Sequence, residues 1–336
     1  MARLPAVPVL PDLLALPAVE SDQEVTVRVP ATSANLGPGF DALGLALTLH
    51  DTVRVRTTTS GGTIVRSTGE GVEALPTDES HLVAASLIST LQRAGHRVAG
   101  LELDTINEIP HGRGLGSSAA AIVAGVLAGN ALLPEQERFD AAQLLQWAAS
   151  LEGHPDNVAP ALMGSLAISW ESGRVYHSTR VEISPEVVPI VVVPDSALST
   201  DSARALLPTS VSHGSAAANA GRAALLVHAL GVEPSLLLAA TQDALHQEFR
   251  AQAMLPSATL MRGLRAAGFA STISGAGPSV LTLAVGDAGA RAAEEVIRQL
   301  LREGGQVSNQ GGIPAKWRIL RLAVEQEGAS VEVHQG

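Results

Sequence analysis

The stretch PHGRGLGSSAAA, from Pro110 to Ala121, constrains the fold most, because three glycines and two serines directly precede a long run of small apolar residues. Glycines let backbone N–H groups approach an anion without obstruction by a Cβ atom. A helix that begins at about Ser117 would aim its free N–H groups and the positive end of its dipole at that anion. We therefore predict a phosphate-binding loop followed by a buried helix. The plainer alternative is a strand-to-helix turn with a serine as N-cap.

A second polar segment, PATSANLGPGFDALGLAL (residues 30–47), places Thr32, Ser33 and Asn35 beside a Gly-Pro-Gly turn and Asp41 at the start of an apolar run. Alone, this pattern is typical of a capped loop in which Asp41 is the N-cap of a helix. In the same chain as a phosphate loop, it becomes a candidate part of a shared site.

A third cluster lies in LEGHPDNVAPALMGSLAIS, where Glu152, His154, Asp156 and Asn157 fall within six positions ahead of an apolar strand. The cluster could hold Mg²⁺ through Glu152, hold a polar substrate through Asn157, or supply a base. A metal triad of the first three residues is a further alternative, although imidazole-rich metal sites usually show more histidines at regular spacing. A lone histidine next to a proline is more often structural.

The segment TISGAGPSVLTL sets a Gly-Ala-Gly-Pro turn between two β-rich runs. It predicts either a tight hairpin or a second wall of the phosphate pocket.

Charge and cysteine content exclude several classes of function. The 336 residues carry 22 Lys and Arg against 33 Asp and Glu, a formal net charge of −11. This argues against nucleic-acid binding and against attraction to anionic lipid, which both need a basic face.

The chain has no cysteine, so disulfides, thiolate metal sites and a cysteine nucleophile are excluded, and a reducing cytoplasm is the expected setting. We expect residues 1–24, broken by four prolines, to be an extension and not a signal peptide, and no run of ~18 apolar residues predicts a membrane span.

The single lysine, Lys316, lies in no glycine-rich loop. A Walker-type loop, which needs Gly-Lys-Ser/Thr, is therefore excluded, and Lys316 is a poor candidate for a Schiff base. Arginine must supply the positive charge of any site.

The remaining pattern predicts alternating strands and helices without a steady βαβ rhythm. Strands are expected in EVTVRVPA ending near Pro30, HDTVRVRTTT, TIVRSTG, VAGLELDTINEIP, GSLAISW, VVPIVVVP, on both sides of SGAGPS, and in KWRILRLAVE as the closing strand. Helices are expected in DESHLVAASLISTLQRAG with Gly95 near its C-cap, in RFDAAQLLQWAASLEG with a stripe of Phe139, Ala142, Leu145, Ala148 and Leu151, and in AAANAGRAALLVHALG, SATLMRGLRAAG and ARAAEEVIRQLLREGG. This mixture indicates an α+β fold of two layered domains that meet near residues 170–190.

Taken in order, PATSANLGPGFDALGLAL, PHGRGLGSSAAA and SGAGPS resemble the three motifs of the GHMP small-molecule kinases. The resemblance spans residues 25 to about 285. The first motif together with EGHPDNVAPALMG is similar to the branch that phosphorylates homoserine. It implies a two-domain architecture, with a ribosomal S5 domain 2-like N-terminal domain over residues 25–180 and a ferredoxin-like C-terminal domain over residues 181–336, after the extension of residues 1–24.

The resemblance also implies the reaction, which is transfer of the γ-phosphoryl group of MgATP to a small alcohol. The ATP phosphates would be held by the loop residues Pro110, His111, Gly112, Arg113, Gly114, Leu115, Gly116, Ser117, Ser118, Ala119 and Ala120. Ser118 and Glu152 would coordinate Mg²⁺, and with Asn157 they form the expected catalytic set. Phosphoryl transfer needs mostly positioning and charge neutralisation, so the absence of a Walker lysine is expected.

L-Homoserine, the implied substrate, is a zwitterion with a primary hydroxyl. Its carboxylate calls for arginine, and Thr200, Arg204 and Arg250 resemble the carboxylate-binding positions of the family. Asp41 and Asn35 could receive the ammonium group, Asn157 could orient the hydroxyl, and His154 completes the expected substrate set.

Two questions stay open at this stage. The base is either Asp156 or no protein group, since a loose transition state asks little of a base. The rival functions are another GHMP kinase acting on a precursor such as mevalonate, and a non-catalytic nucleotide-binding protein on the same fold. The family also leads us to expect a homodimer, with no nucleic-acid partner and no membrane.

Overall fold

Two β-sheets organise the part of the chain that this computed structural model describes, residues 15–59, 61–303 and 316–334. The described strands are β1 (Glu24–Asn35), β2 (Gly39–Thr58), β3 (Gly62–Gly69), β4 (Gly100–Asn107), β5 (Leu166–Ser172), β6 (Val175–Val181), β7 (Val187–Pro194), β8 (Ala270–Ile273), β9 (Val280–Val285), β10 (Trp317–Arg321) and β11 (Ser330–His334). The described α-helices are α1 (Leu82–Arg93), α2 (Ser117–Ala131), α3 (Ala141–Glu152), α4 (Val158–Met163), α5 (Thr200–Arg204), α6 (His213–Gly231), α7 (Leu237–Ala240), α8 (Gln247–Arg250), α9 (Leu255–Ala266) and α10 (Gly286–Glu303).

The first sheet has the order β11-β1-β2-β4-β3, with β5 beside β2 and β6 beside β5. Its pairs are antiparallel except β3 with β4. The second sheet has the order β10-β7-β9-β8 and is antiparallel throughout. The predicted mixture of helices and strands without a βαβ rhythm is confirmed.

Strand alternation decides where each core forms. On β7, Val191 and Val193 face the large core that the first sheet shares with α1 and α2, whereas Ile190 and Val192 face a second core under α9 and α10. The second sheet is therefore covered on both faces.

Helix α2 is buried on nearly all sides, as its composition predicts, and it packs closely on α1. A Cβ atom on Gly125 would lie 2.4 Å from the carbonyl oxygen of Val83. The small residues of α2 therefore allow a helix contact that larger side chains would prevent.

Several local predictions were wrong. Strand β1 does not end near Pro30 but continues to Asn35 through a register shift between Pro30 and Ala31, because proline removes one ladder donor without ending the pairing. Strand β2 begins at Gly39, so Asp41 lies in a strand and is not a helix N-cap.

Two further expectations were wrong in part. In the predicted stripe of α3, Leu145 and Ala148 are buried, but Ala142 and Leu151 are exposed, because the packed face turns towards Ala149. Strand β10 is not the closing strand, since β11 follows it and pairs with β1. Sequence analysis also missed β6, β11, α4, α5, α7 and α8, all of them seven residues or shorter.

The predicted N-terminal extension is described only in part. Residues 1–14 lie outside the described residues, and in the rest the N–H of Val19 donates to the carbonyl of Arg97 at 2.9 Å. Within the described ranges, no helix is long and apolar enough to cross a membrane.

Candidate active site

The glycine-rich loop between β4 and α2 has the backbone that its sequence predicts. Gly112, Gly114 and Gly116 have φ values of 64°, 73° and 69°, in the left-handed region that favours glycine. Gly116 is the N-cap of α2 and supplies no side-chain hydrogen bond to the first turn. The alternative of a serine N-cap is therefore wrong, and the N–H groups at the start of α2 are left for a ligand.

Close contacts bring the three glycine-containing motifs together around this loop. A Cβ on Gly114 would lie 2.1 Å from the carbonyl oxygen of Ser274, and one on Gly116 would lie 2.0 Å from Thr32 Oγ1. Ser274 Oγ donates to the carbonyl of Gly114 at 2.6 Å, and the N–H of Thr32 donates to Leu115 at 3.0 Å. The SGAGPS turn is thus a hairpin between β8 and β9 and also a wall of the loop, so both alternatives hold at once.

Glu152, the last residue of α3, lies opposite the start of α2. Ser118 Oγ donates to Glu152 Oε2 at 2.8 Å, and burial raises the pKa of Glu152. The pair sets a hydroxyl and a carboxylate side by side at the mouth of the phosphate loop. Among the described residues, no group of three His, Cys, Asp or Glu side chains could hold a metal, so the alternative triad of Glu152, His154 and Asp156 does not form.

The rest of the third cluster forms a partly buried set of hydrogen bonds around Asp156. His154 Nδ1 lies 2.7 Å from Asp156 Oδ1, and this bond raises the pKa of His154. Asp156 is 3% exposed. Thr32 Oγ1 donates to Asn157 Oδ1 at 2.8 Å. This contact orients the amide of Asn157, whose Nδ2 then has only a long contact of 3.5 Å, to Asp156 Oδ1.

Residues 35–41, which are the turn between β1 and β2 and the strand residues beside it, have an unusual backbone, and we call them the Asp41 loop. Three non-glycine residues, Asn35, Leu36 and Asp41, have φ values of 69°, 50° and 56°. Such conformations persist only where the surroundings hold them. Asn35 Nδ2 donates to the carbonyl of Gly275 at 2.9 Å, and Asn35 Oδ1 accepts from the N–H of Asp41 at 3.0 Å. Asn35 therefore braces the loop that carries Asp41.

Asp41 and Arg204 form a two-pronged ion pair in the described structure. Arg204 Nη2 and Nη1 donate to the two oxygens of Asp41 at 2.7 and 2.9 Å, and this bond raises the pKa of Arg204. The Arg204 and Asp41 side chains are 42% and 38% exposed, so the pair is open to an incoming ligand. Arg204 ends the short helix α5, whose first residue, Thr200, also lines the cleft.

Arg250 is the charged side chain buried deepest in the same cleft, with an exposure of 2%. Its Nε donates to the carbonyl of Ala203 at 3.1 Å, and its Nη1 lies 3.3 Å from His246 Nδ1. Burial lowers its pKa. No carboxylate of the described residues is hydrogen-bonded to this guanidinium, which therefore keeps donors for an anion.

Arg113, assigned to the phosphate loop from the sequence, is bonded to backbone instead. Its guanidinium donates to the carbonyls of His111, Pro194 and Asp195 at 2.5, 3.2 and 2.6 Å. These contacts tie the loop to the end of β7.

Residues of all of these segments except Arg113 line one cleft. Glycines of the phosphate loop, Ser118 and Glu152 lie at one end, and Asp41, Arg204 and Arg250 also face it. The arrangement suits a small zwitterion placed against a phosphate group.

A second cavity was not predicted from the sequence. It lies against the start of α2, and its walls are mainly apolar side chains together with Asp51, His81, Asn107 and His111. His81 Nδ1 accepts from the N–H of Val83 at 3.3 Å, while its Nε2 is buried and has no hydrogen-bond partner among the described residues. Because Ser117 and Ser118 line both cavities, the phosphate loop separates a polar cleft from an apolar one. The signal of this cavity in the sequence was the apolar face of α1, which follows a histidine, His81, at the N-cap.

Known proteins share these features. A family model described as GHMP kinases N terminal domain matches residues 81–165. The homoserine kinase of Streptomyces avermitilis is 50% identical over 308 residues, which are 91% of this chain and 95% of that protein. The homoserine kinase of Clavibacter michiganensis is 45% identical over 316 residues, 94% of this chain and 96% of that protein. The solved structure of homoserine kinase from Cytophaga hutchinsonii superposes with a TM-score of 0.80 at 28% identity, covering 92% of this chain and 97% of that one.

Proposed function

This chain belongs to the homoserine kinases of the GHMP kinase family, and we propose that it uses the cleft described above to transfer the γ-phosphoryl group of ATP to the side-chain hydroxyl of L-homoserine. The products are O-phospho-L-homoserine and ADP, in a step of threonine biosynthesis. The predicted α+β architecture of the GHMP kinases is confirmed. The observation that carries the site assignment is that Asp41, Arg204 and Arg250 line the same cleft as the phosphate loop.

The substrate enters the Asp41–Arg204 ion pair. Its ammonium group takes the place of the guanidinium at Asp41, and its carboxylate binds Arg204 together with the free donors of Arg250. Charge-assisted hydrogen bonds of this kind contribute about 1.5–3 kcal/mol each, more than the ~1 kcal/mol that a half-exposed ion pair is worth. Exchange of the internal pair for the zwitterion is therefore favourable. Thr200, His154 and Asn35 complete the walls of this subsite.

The phosphates of ATP lie along residues 110–120, at the N-terminus of α2. Backbone N–H groups and the positive end of the helix supply the charge that a Walker lysine supplies elsewhere. The apolar second cavity takes the nucleobase, with His81 Nε2 and the Asn107 amide as hydrogen-bonding groups. Arg113 acts by holding the loop on β7.

The residues present also fit a magnesium ion. Mg²⁺ prefers hard oxygen ligands and is usually held by one or two protein groups together with substrate phosphates and water, and Ser118 and Glu152 offer a hydroxyl and a carboxylate. Bound there with ATP, the ion would neutralise charge on the transferred group. Glu152, whose pKa is raised by burial, regains a compensating positive charge in that complex.

The acceptor hydroxyl is oriented by Asn157, whose Nδ2 points away from the Thr32 contact. Its proton passes either to Asp156 or directly to a phosphate oxygen, and a loose transition state permits the second route. Asp156→Asn separates the two routes, because loss of a base lowers kcat by about 10²–10⁴-fold and loss of a mere neighbour does not.

The other family-based expectations belong to the same proposal. They are a domain division at residues 25–180 and 181–336 after the extension of residues 1–24, a cytoplasmic setting, which the cysteine-free composition supports, and a homodimer.

Coupled ADP release tests the function. With MgATP, we expect turnover with L-homoserine and none above background with mevalonate, L-threonine or no acceptor. Turnover with mevalonate and not with homoserine would leave the phosphate loop in place and refute the assignment of Asp41 and Arg204.

A further inference from the structure

His246 is fully buried and contacts both Gly37, ahead of Asp41 in the chain, and the cleft residue Arg250. It lies in the turn before α8, four residues ahead of Arg250. It does not line the cleft, and neither the sequence motifs nor the proposed reaction assigns it a role.

The two ring nitrogens of His246 have different partners, and these fix its tautomer. Nε2 lies 2.8 Å from the carbonyl oxygen of Gly37, which can only accept, so Nε2 carries the hydrogen. Nδ1 is therefore the acceptor, and it faces Arg250 Nη1 at 3.3 Å. Burial lowers the pKa of His246, which keeps the ring neutral. The nearby carboxylate of Asp243 accepts the N–H groups of residues 245–247.

The ring of Phe40 extends this contact into the cleft. Phe40 stacks on His246 with ring centroids 5.2 Å apart and planes inclined by 28°. The guanidinium carbons of Arg204 and Arg250 lie 5.5 and 5.3 Å from the centroid of Phe40. Both lie within the range of a cation–π contact, so the ring supports both cations that face the cleft.

The Gly37 contact holds the strained loop. Asn35, Leu36 and Asp41 have positive φ values, and two side chains from beyond residue 181 bind the carbonyls between them. They are His246 at Gly37 and Asn219 Nδ2 at Pro38, the latter at 2.8 Å. Strained backbone of this kind persists only when its surroundings over-determine it.

We propose that His246 is a positioning residue for homoserine binding, which holds the Asp41 loop and Arg250 at a fixed spacing through its two ring nitrogens. This inference rests on the proposed function, because homoserine is the ligand whose ammonium group would bind Asp41 and whose carboxylate would bind Arg204 and Arg250. It makes His246 a determinant of affinity for the substrate without contact to it.

Two substitutions separate the contacts of His246. The amide nitrogen of glutamine falls near the position of Nε2, so His246→Gln keeps the donor to Gly37. The amide of asparagine falls near Nδ1, so His246→Asn loses that donor. We expect His246→Asn to raise the KM for homoserine about tenfold, the worth of one net hydrogen bond, with kcat within about threefold and the KM for ATP unchanged. His246→Gln keeps the donor to Gly37 but loses the acceptor for Arg250 Nη1, so it should raise the KM for homoserine by a smaller factor, about threefold.

His50 offers a matched control. It is also buried, its Nδ1 faces Arg28 Nη2 at 2.9 Å, and its Nε2 bonds Glu325 at 2.9 Å, outside the cleft. His50→Asn and His50→Gln should lower the melting temperature as much as the His246 variants do, with no change in the KM for homoserine. Phe40→Leu removes the stacked ring and keeps an apolar side chain, and it should raise the KM for homoserine about fivefold. This variant replaces His246→Asn in the test if His246→Asn does not fold.

The outcomes distinguish this proposal from the function on which it rests. If the wild type does not phosphorylate homoserine, the proposed function fails. If the wild type does, the positioning role is overturned by a homoserine KM of His246→Asn within twofold of the wild type, by an equal rise in His50→Asn, or by an equal rise in the KM for ATP. For an unfolded His246→Asn, an unchanged KM in Phe40→Leu overturns it.

Discussion

The ion pair between Asp41 and Arg204 should make the enzyme selective for zwitterions, and Asp41→Asn tests this. Asparagine tolerates the left-handed backbone at this position, where φ is 56°, so the loop is retained while the charge is lost. The variant loses one charge-assisted contact to the ammonium group, worth about 1.5–3 kcal/mol. The variant also has no Asp41–Arg204 pair to break, which costs up to ~1 kcal/mol in the wild type, so the KM for homoserine should rise about two- to a hundredfold.

A substrate without the ammonium group, 4-hydroxybutyrate, should respond in the opposite sense. In the wild type, the carboxylate of 4-hydroxybutyrate must break the Asp41–Arg204 ion pair and leave Asp41 without a partner. Breaking so exposed a pair costs at most ~1 kcal/mol, and this cost is absent in Asp41→Asn. We therefore expect kcat/KM for 4-hydroxybutyrate to stay level or to rise up to about fivefold.

The assay is coupled ADP release with both acceptors at saturating MgATP. Asp201→Asn, which removes a charge from α5 without touching the pair, is the control and should leave the ratio of the two kcat/KM values unchanged. An equal fall for both acceptors in Asp41→Asn would refute the reasoning, because it would mean that Asp41 only maintains the loop.

Three other predictions follow from the geometry. Gly116→Ala sets a Cβ 2.0 Å from Thr32 Oγ1 and should lower kcat/KM for ATP by about a hundredfold, while Gly95→Ala, with the same sign of φ and open space around it, should leave it unchanged. Arg204→Ala should raise the KM for homoserine far more than that for ATP in the same assay, and equal effects would remove the carboxylate role. Burial raises the pKa of Asp51 to about 6, above its unfolded value of 3.8, so its stability contribution is present below pH ~4 and lost as pH rises through ~6. Asp51→Asn keeps an oxygen for the N–H groups of residues 108 and 109. Its free energy of unfolding, measured with urea, should therefore rise relative to that of the wild type by about 2 kcal/mol between pH 4.5 and pH 7.5. A difference that does not change with pH would contradict this.

The phosphate loop was predictable from the sequence because its chemistry is local. Three glycines before an apolar helix specify a left-handed backbone and free N–H groups within a few residues, whatever packs around them. Helices α1, α3, α9 and α10 were predictable for the same reason, since each displays its own hydrophobic period.

The parts that failed depend on distant partners. Asp41 looks like a helix N-cap because only the neighbours of Gly39–Thr58 in the sheet turn that segment into a strand. The bond between Asp41 and Arg204 joins residues 163 positions apart, and no local pattern signals it. The side-chain contacts of Arg113 also depend on distant partners, since two of the carbonyls that it binds belong to Pro194 and Asp195. The second cavity exists only in the folded chain, because its walls come from β2, β4, α1 and α2.

The most direct test of the account is a crystal structure with L-homoserine and a non-hydrolysable ATP analogue. We expect the Asp41–Arg204 pair to open, the ammonium group to lie within hydrogen-bond distance of Asp41, and the carboxylate to contact Arg204 and Arg250 with the hydroxyl directed at the γ-phosphate. An intact ion pair, with the amino acid bound elsewhere, would contradict it.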